Sequence, residues 1–455
     1  MSKSFHDEEE TVLPDGVRFL LWSGPEDVWM PALASPMRTA LAVLASLAVA
    51  CVLATPSAAV AAPVRGGSPA KVAGPPARGV AASARVGSVV KAAGSPSQGG
   101  GAAPTAARGA QASSPKPPSL GPFMRGMTYA AYTATVFASA TSDEQVRAMA
   151  RAGVNAISVQ TAWYQQSPTS TRIAPTAQTP SDASLEHLIR LAHSLHMRVF
   201  LDPFVNAIHG EAWQGAFHPT SWAAWFRSYD AMVAHYATLA QATGVNMLSL
   251  GDENDTSDHT PALLPYYLHM VAIARRDYHG ALTYGADYPD YRQVPAAFWR
   301  SLDAIGLEAY FPLAGSTDPT QAQLDASWRR QVAAIAAWRR AEGLTAKPVV
   351  LTEIGYYSGA TTAANPGAWE PNARLDLALQ VACYRAVFTT MYQQPWLQGI
   401  FWFWWANPSD GPDWPPLATN NGYNVQNKPV LGLIESYYRA PGGGRAVPPP
   451  VGFRR

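Results

Sequence analysis

Charge is what this sequence has least of. Asp, Glu, Lys and Arg make up 14% of its 455 residues, where a globular chain usually carries about 25%. The signs nearly cancel, 33 basic against 32 acidic, leaving a formal net charge of +1. Such a balance gives no electrostatic footprint for nucleic acid or another anionic partner. Cysteine is nearly missing too. Cys51 lies in a targeting-like segment and Cys383 in a helical pattern, so neither a disulfide nor a zinc site is expected. The 10 histidines are dispersed, with no HExxH and no His/Cys cluster at zinc spacing. A Gly-x-Ser-x-Gly elbow is lacking, and the first strand candidate runs into "MTYAAYTATVF" instead of a glycine-rich phosphate loop. We expect no metal and no cofactor. What remains plentiful is aromatic: 15 Trp, 19 Tyr and 14 Phe, enough for a core and for a surface on which sugars stack.

Composition divides the chain. Residues 1–36 show no sustained periodicity. Met37–Ala62 reads as a signal peptide: Arg38 forms a short basic region, Ala40–Ala54 an apolar one, and "AAVAA" supplies small-residue cleavage sites. Met37 would then be the natural start and 1–36 a non-native extension. The competing reading is an uncleaved membrane anchor, since Thr39–Ala62 is just long enough to span a bilayer; its weak hydrophobicity favours cleavage. Residues 63–120 are rich in Ala, Gly, Pro and Ser and too poor in large apolar side chains to offset the entropy of ordering, so a disordered linker is predicted. The folded domain is placed at 121–440, with a disordered tail at 441–455.

Within that domain helical and strand signals alternate. Strand candidates are "MRGMTYA" (124–130), "VNAISVQT" (154–161), "MRVFLDPF" (197–204), "VNMLSLG" (245–251), "ALTYGAD" (281–287), "LDAIGLEAYF" (302–311), "KPVVLTEIG" (347–355) and "LQGIFWFWW" (397–405). They are near-continuous apolar runs, as parallel strands buried on both faces should be. Between them lie helical patterns, the first with a capping box at Ser142 and Gln145, another ending at Gly244. About eight β-then-α units in roughly 320 residues predict a (β/α)₈ TIM barrel over a doubly wound open sheet.

A barrel gathers its chemistry at the C-terminal ends of its strands. Acids recur there although they are scarce overall: Asp202 on the third strand, Asp252 and Glu253 on the fourth, Glu308 on the sixth and Glu353 on the seventh. Two carboxylates facing one cavity suit glycoside hydrolysis, one protonating the leaving oxygen and the other attacking the anomeric carbon. A calcium loop starting at Asp252 fails, because its sixth and twelfth positions are Ser257 and Leu263 instead of Gly and Glu.

The segments "TAWYQ", "WFRSYDAMVAHYATLAQATGVNMLSLGDE", "DAIGLEAYFPL", "KPVVLTEIGY" and "FWFWW…NKPVLGLI" resemble, in order, the barrel of glycoside hydrolase family 113, a clan-A family of retaining β-mannanases. The resemblance implies Glu253 as acid/base and Glu353 as nucleophile, with β-1,4-mannan or a manno-oligosaccharide as substrate. Two positions depart from the pattern: Asp252 stands where clan A usually has a donating Asn, and Asp202-Pro203-Phe204 where the family tends toward Lys-Pro-His. They keep another clan-A specificity, a β-glucanase or β-galactosidase, and a non-catalytic glycan-binding barrel as alternatives. Trp163, Asp202, Asp252, Tyr310, Trp402 and Trp404 are the expected substrate-binding residues, Trp402 and Trp404 sharing one strand face. We expect a secreted monomer, with a possible tie to the cell envelope through the N-terminal segment.

Overall fold

The computed structural model describes residues 118–208, 212–288, 290–315, 318–367, 372–410 and 414–440. The extension 1–36, the leader-like segment 37–62, residues 63–117 of the linker and the tail 441–455 lie outside the described residues. Eight parallel strands close into a barrel in sequence order: β1 Met124–Ala130, β2 Ala156–Gln165, β3 Arg198–Ala207, β4 Met247–Asp252, β5 Ala281–Asp287, β6 Ile305–Glu308, β7 Val349–Ile354 and β8 Leu397–Trp402. Each is followed by a helix: α1 Ala140–Arg151, α2 Asp182–Ser194, α3 Trp222–Thr243, α4 Leu264–Asp277, α5 Ala296–Ser301, α6 Gln321–Ala341, α7 Leu377–Thr389 and α8 Pro429–Tyr438. This is the predicted (β/α)₈ barrel. Among the described residues no helix is long and apolar enough to cross a membrane.

Helix boundaries follow their caps. The Ser221 side chain accepts from the Ala224 amide to start α3, and Gly244, in the left-handed region at φ +71°, ends it where the sequence predicted. The start of α1 differs from expectation. Ser139 is the cap, accepting from the Ser142 amide, while Ser142 is buried and its hydroxyl is bound by the Tyr129 hydroxyl at 3.0 Å. Two serines three apart both fit the pattern, and tertiary packing claims the second.

Alternation along the strands separates a helix-facing shell from a barrel interior. The floor of the interior is one apolar layer: Met124, Ala156, Phe200, Met247, Ala281, Ala304, Val350 and Phe401. Burying its larger members stabilises the fold by about 1.5–3 kcal/mol each. Above the floor the inward side chains turn polar: Thr128, Ser158, Gln160, Asp202, Ser249, Thr283 and Thr352 are all buried. The predicted edges of two strands shift. β2 runs on to Gln165 because it pairs with β3 residue by residue from Ala156↔Arg198 to Gln165↔Ala207, and β6 shrinks to four residues.

Candidate active site

Two β-bulges build the mouth. On β4 the inward residues are Met247 and Ser249, paired with Ala281 and Thr283 of β5; strict alternation would next turn Gly251 inward and Asp252 outward. The register slips between Ser249 and Asp252, so Asp252 sits opposite Gly285 and faces the interior instead. Gly251 takes up the extra residue at φ +133°, and a Cβ there would lie 1.7 Å from the Tyr229 hydroxyl. Glu253 follows at φ +42°, rare for a non-glycine residue; its amide donates to the Gly285 carbonyl at 2.8 Å, and the next amide, Asn254, donates to the Tyr284 hydroxyl at 3.0 Å. A strained backbone pinned this way points to a functional role for the side chain it aims.

The second bulge does the same for β7. Leu307 pairs with Leu351, but Glu308 pairs with Glu353, which leaves Thr352 as the extra residue. Unbroken alternation would send Glu353 after Val349 and Leu351 into the helix-facing shell. Instead its carboxylate crosses the barrel, where Oε1 accepts from the Gln160 side chain of β2 and Oε2 from the Tyr310 hydroxyl at 2.6 Å. Glu253 accepts on Oε2 from the Trp213 indole at 2.8 Å and from Gln214 at 3.2 Å. Between these two glutamates lies Glu308, whose Oε1 accepts from Thr352 at 2.8 Å; it fits only because a Cβ on residue 285 would lie 2.1 Å from that oxygen, so the position is glycine.

The electrostatics are those of crowded acids. Burial raises Glu353 to about 7, against the donors Tyr310 and Gln160, which favour its charge. Asp202 is raised to about 8 by burial and then by the Glu353 charge. Burial raises Asp252 and Glu308 well above the carboxylate range, with Glu253, Glu353 and Asp202 adding to both. Asp287, at the end of β5, is raised by burial and next by Glu253. Among the described residues nothing cationic acts on any of these five groups. An acidic pocket of this kind is complementary to positive charge developing on a reacting sugar.

The structure assembles most of the predicted residues but not all of them. Glu253, Glu353, Asp252, Asp202 and Tyr310 converge. Asp202 lies deep, 1% exposed behind Gln160, where it meets its neighbours and not the opening. Trp404 joins Phe403, Tyr310 and Tyr423 in an aromatic cluster at the mouth. Trp163 and Trp402 do not belong to the pocket. Trp163 falls on the outward face of β2, packing on His235 and Tyr236 of α3, because the strand continues past Thr161. Trp402 is fully buried against Tyr384 of α7, rings stacked 4.0 Å apart. Trp402 and Trp404 therefore face different ways: β8 ends at Trp402, and beyond it Phe403 and Trp404 stack on each other at 4.6 Å across a cis peptide.

Four participants had gone unread in the sequence: Gln160, Trp213, Gln214 and Asp287. Gln160 carried a signal, since it shares the inward parity of Ala156 and Ser158; Trp213 sits in an irregular segment where no periodicity applies. Asp255, Asp258 and His259 bring one donor atom each within 4.8 Å of one another, a spacing a metal could use. Asp258 accepts from Tyr284 at 2.6 Å and pairs with His259 at 3.1 Å, while Asp255 Oδ1 has no hydrogen-bond partner among the described residues.

Comparison with known proteins agrees with this geometry. The profile of Glycoside Hydrolase Family 113 matches residues 127–428. Among solved structures, a complex of a family 113 β-1,4-mannanase superposes with a TM-score of 0.62 at 25% identity, covering 70% of this chain and 99% of the other. A family 113 β-mannanase from Alicyclobacillus acidocaldarius, in complex with ManMIm, gives 0.60 at 27% identity, covering 70% and 97%. No curated protein matches. With the profile spanning most of the chain and its barrel ending in paired inward acids, this chain belongs to glycoside hydrolase family 113 and is a glycoside hydrolase.

Proposed function

We propose that the enzyme cleaves β-1,4-mannan or manno-oligosaccharides with retention of configuration, through a covalent glycosyl-enzyme on Glu353. The observation that carries this reading is that the β7 bulge and the positive-φ backbone after the β4 bulge bring Glu353 and Glu253 into one acidic interior, where both act on Glu308. Glu353 has a hydrogen-bond donor on each oxygen and, among the described residues, no cation acting on it, which suits a nucleophile held in plane yet still reactive. Glu253, whose Oε2 accepts from Trp213 and Gln214, protonates the departing oxygen. After glycosylation the same carboxyl, deprotonated, draws a proton from the attacking water. Direct displacement requires the two carboxyls to stand about 5–5.5 Å apart.

The sugar in the pocket would rest against the Trp404 cluster, with Asp252 and Tyr310 reaching its hydroxyls and the half-buried Trp213 beside the leaving group. Mannan is favoured because the solved relatives of the family are β-mannanases. Export through the Met37–Ala62 segment, action as a monomer and a tie to the envelope complete the reading. The test is digestion of a panel of β-mannan, β-glucan and β-galactan with product anomers followed by NMR. Retained β products from mannan are expected; inverted products would end the double-displacement reading, and cleavage confined to another glycan would replace the substrate.

A further inference from the structure

The nucleophile carboxylate is reached from across the barrel by a neutral side chain. Gln160 stands on β2, opposite Asp202 of β3 in the strand register, and both point inward. Its Nε2 has two N–H groups. One goes to Oε1 of Glu353, the other to Oδ2 of Asp202 at 3.4 Å. The amide is 3% exposed, and its opposite flip would set a carbonyl against two carboxyl groups. Asp202 is otherwise met by the Ser249 side chain, and its Oδ1 lacks a hydrogen-bond partner among the described residues.

We propose that Gln160 is a positioning residue for the nucleophile, its one amide group clamped between Glu353 and Asp202 so that both carboxyls are held in orientation. This rests on the reading of Glu353 as nucleophile. The chemistry follows from the donor count. The clamp fixes the carboxylate plane from the Oε1 side while Tyr310 fixes it from the Oε2 side, and it favours the ionised form through a hydrogen bond with no full positive charge. The charge of Glu353 in turn helps Asp202 keep its proton, to about pH 8. Among the described residues the other titratable groups near the pair are Glu308 and Tyr310 from β6 and its loop, Asp252 from β4, Tyr229 from α3 and Tyr423 from the segment after β8. They remain in every variant below, so the two single changes can be compared.

The experiment measures kcat and KM against pH for the full chain and for Gln160→Met and Asp202→Asn, with β-1,4-mannohexaose as probe and Glu353→Gln as control. Gln160→Met keeps side-chain length and removes the donor. Its kcat should fall roughly 10–100-fold with KM within about threefold, and the acidic limb of its kcat/KM profile should move up by about one pH unit. Asp202→Asn keeps shape and, because Asp202 holds its proton to about pH 8, changes no charge where Glu353 titrates, so its limb should stay within about 0.3 unit of the wild type. A limb that rises in Gln160→Met and stays in Asp202→Asn supports the clamp. An unmoved limb in Gln160→Met, or a rise of similar size in both variants, overturns it, whatever happens to thermal stability. If the wild type cleaves no β-glycan, or Glu353→Gln retains turnover, the nucleophile assignment falls and the clamp with it.

Discussion

The floor of the barrel and its mouth are lined from the same eight strands, yet they obey opposite rules. At the floor eight apolar side chains, from the strands or the residue just before one, pack together and none is titratable. Above it Asp202, Asp252, Glu253, Asp287, Glu308 and Glu353 crowd together, and among the described residues no cation acts on the five whose titration is displaced. The floor has one register slip, where β7 meets β8 at Val350; the upper barrel has slips on β4 and on both edges of β7, and a non-glycine residue at positive φ. The difference teaches where stability and chemistry reside. A packed floor and a helix-facing aromatic shell tolerate a mouth that opposes folding, and that mouth is what can act on a sugar.

The sharpest way to test this contrast is to remove one acid at the mouth. Glu353→Gln should lower kcat by about 10³-fold or more while the fold remains intact, read by steady-state turnover and circular dichroism. Glu253→Gln should lower it by about 10²–10⁴-fold on substrates with poor leaving groups and much less on activated aryl glycosides, which do not need protonation. At the floor the effect should be inverted. Phe401→Ala should cost about 3–5 kcal/mol in chemical unfolding and leave KM of the remaining folded enzyme near the wild-type value.

Asp202→Asn sharpens the comparison through pH. Asp202 holds its proton in the folded chain up to about pH 8, against an ordinary value of 3.8. A carboxyl raised by folding contributes stability that is full below its unfolded pKa and is lost as pH rises through the folded one. Melting temperatures of wild type and variant should therefore coincide near pH 4. By pH 8–9 the variant should be the more stable, by about 2–4 kcal/mol. Equal melting at both ends would mean that Asp202 is not strained by its neighbours. The smallest effect is expected outside the pocket: Trp163→Phe should change kcat/KM by less than about twofold, because its ring packs on α3.

The sequence showed the frame and the two central acids, because apolar runs, glycine stops and strand-end carboxylates are local signals. Glu253 and Glu353 were legible as acids after buried runs. What turns them inward was not. Counting by twos from Val349 puts Glu353 on the wrong face, and only the pairing of Glu308 with Glu353 exposes the bulge. The same limit misassigned Trp402, since its partner Tyr384 lies 18 residues earlier on a helix and no period links them. Gln160 escaped notice because a lone amide in a strand resembles any polar residue until its acceptors, 42 and 193 positions away, are known.

The most direct measurement is to trap the intermediate. The full chain would be incubated with a 2-deoxy-2-fluoro β-mannosyl fluoride, digested, and the labelled peptide located by mass spectrometry. A single sugar on Glu353, its formation slowing below about pH 7 as that carboxylate gains its proton, is the predicted result. A label on Asp202, Asp252 or Glu308, or full turnover of the reagent with no label anywhere, would contradict the account.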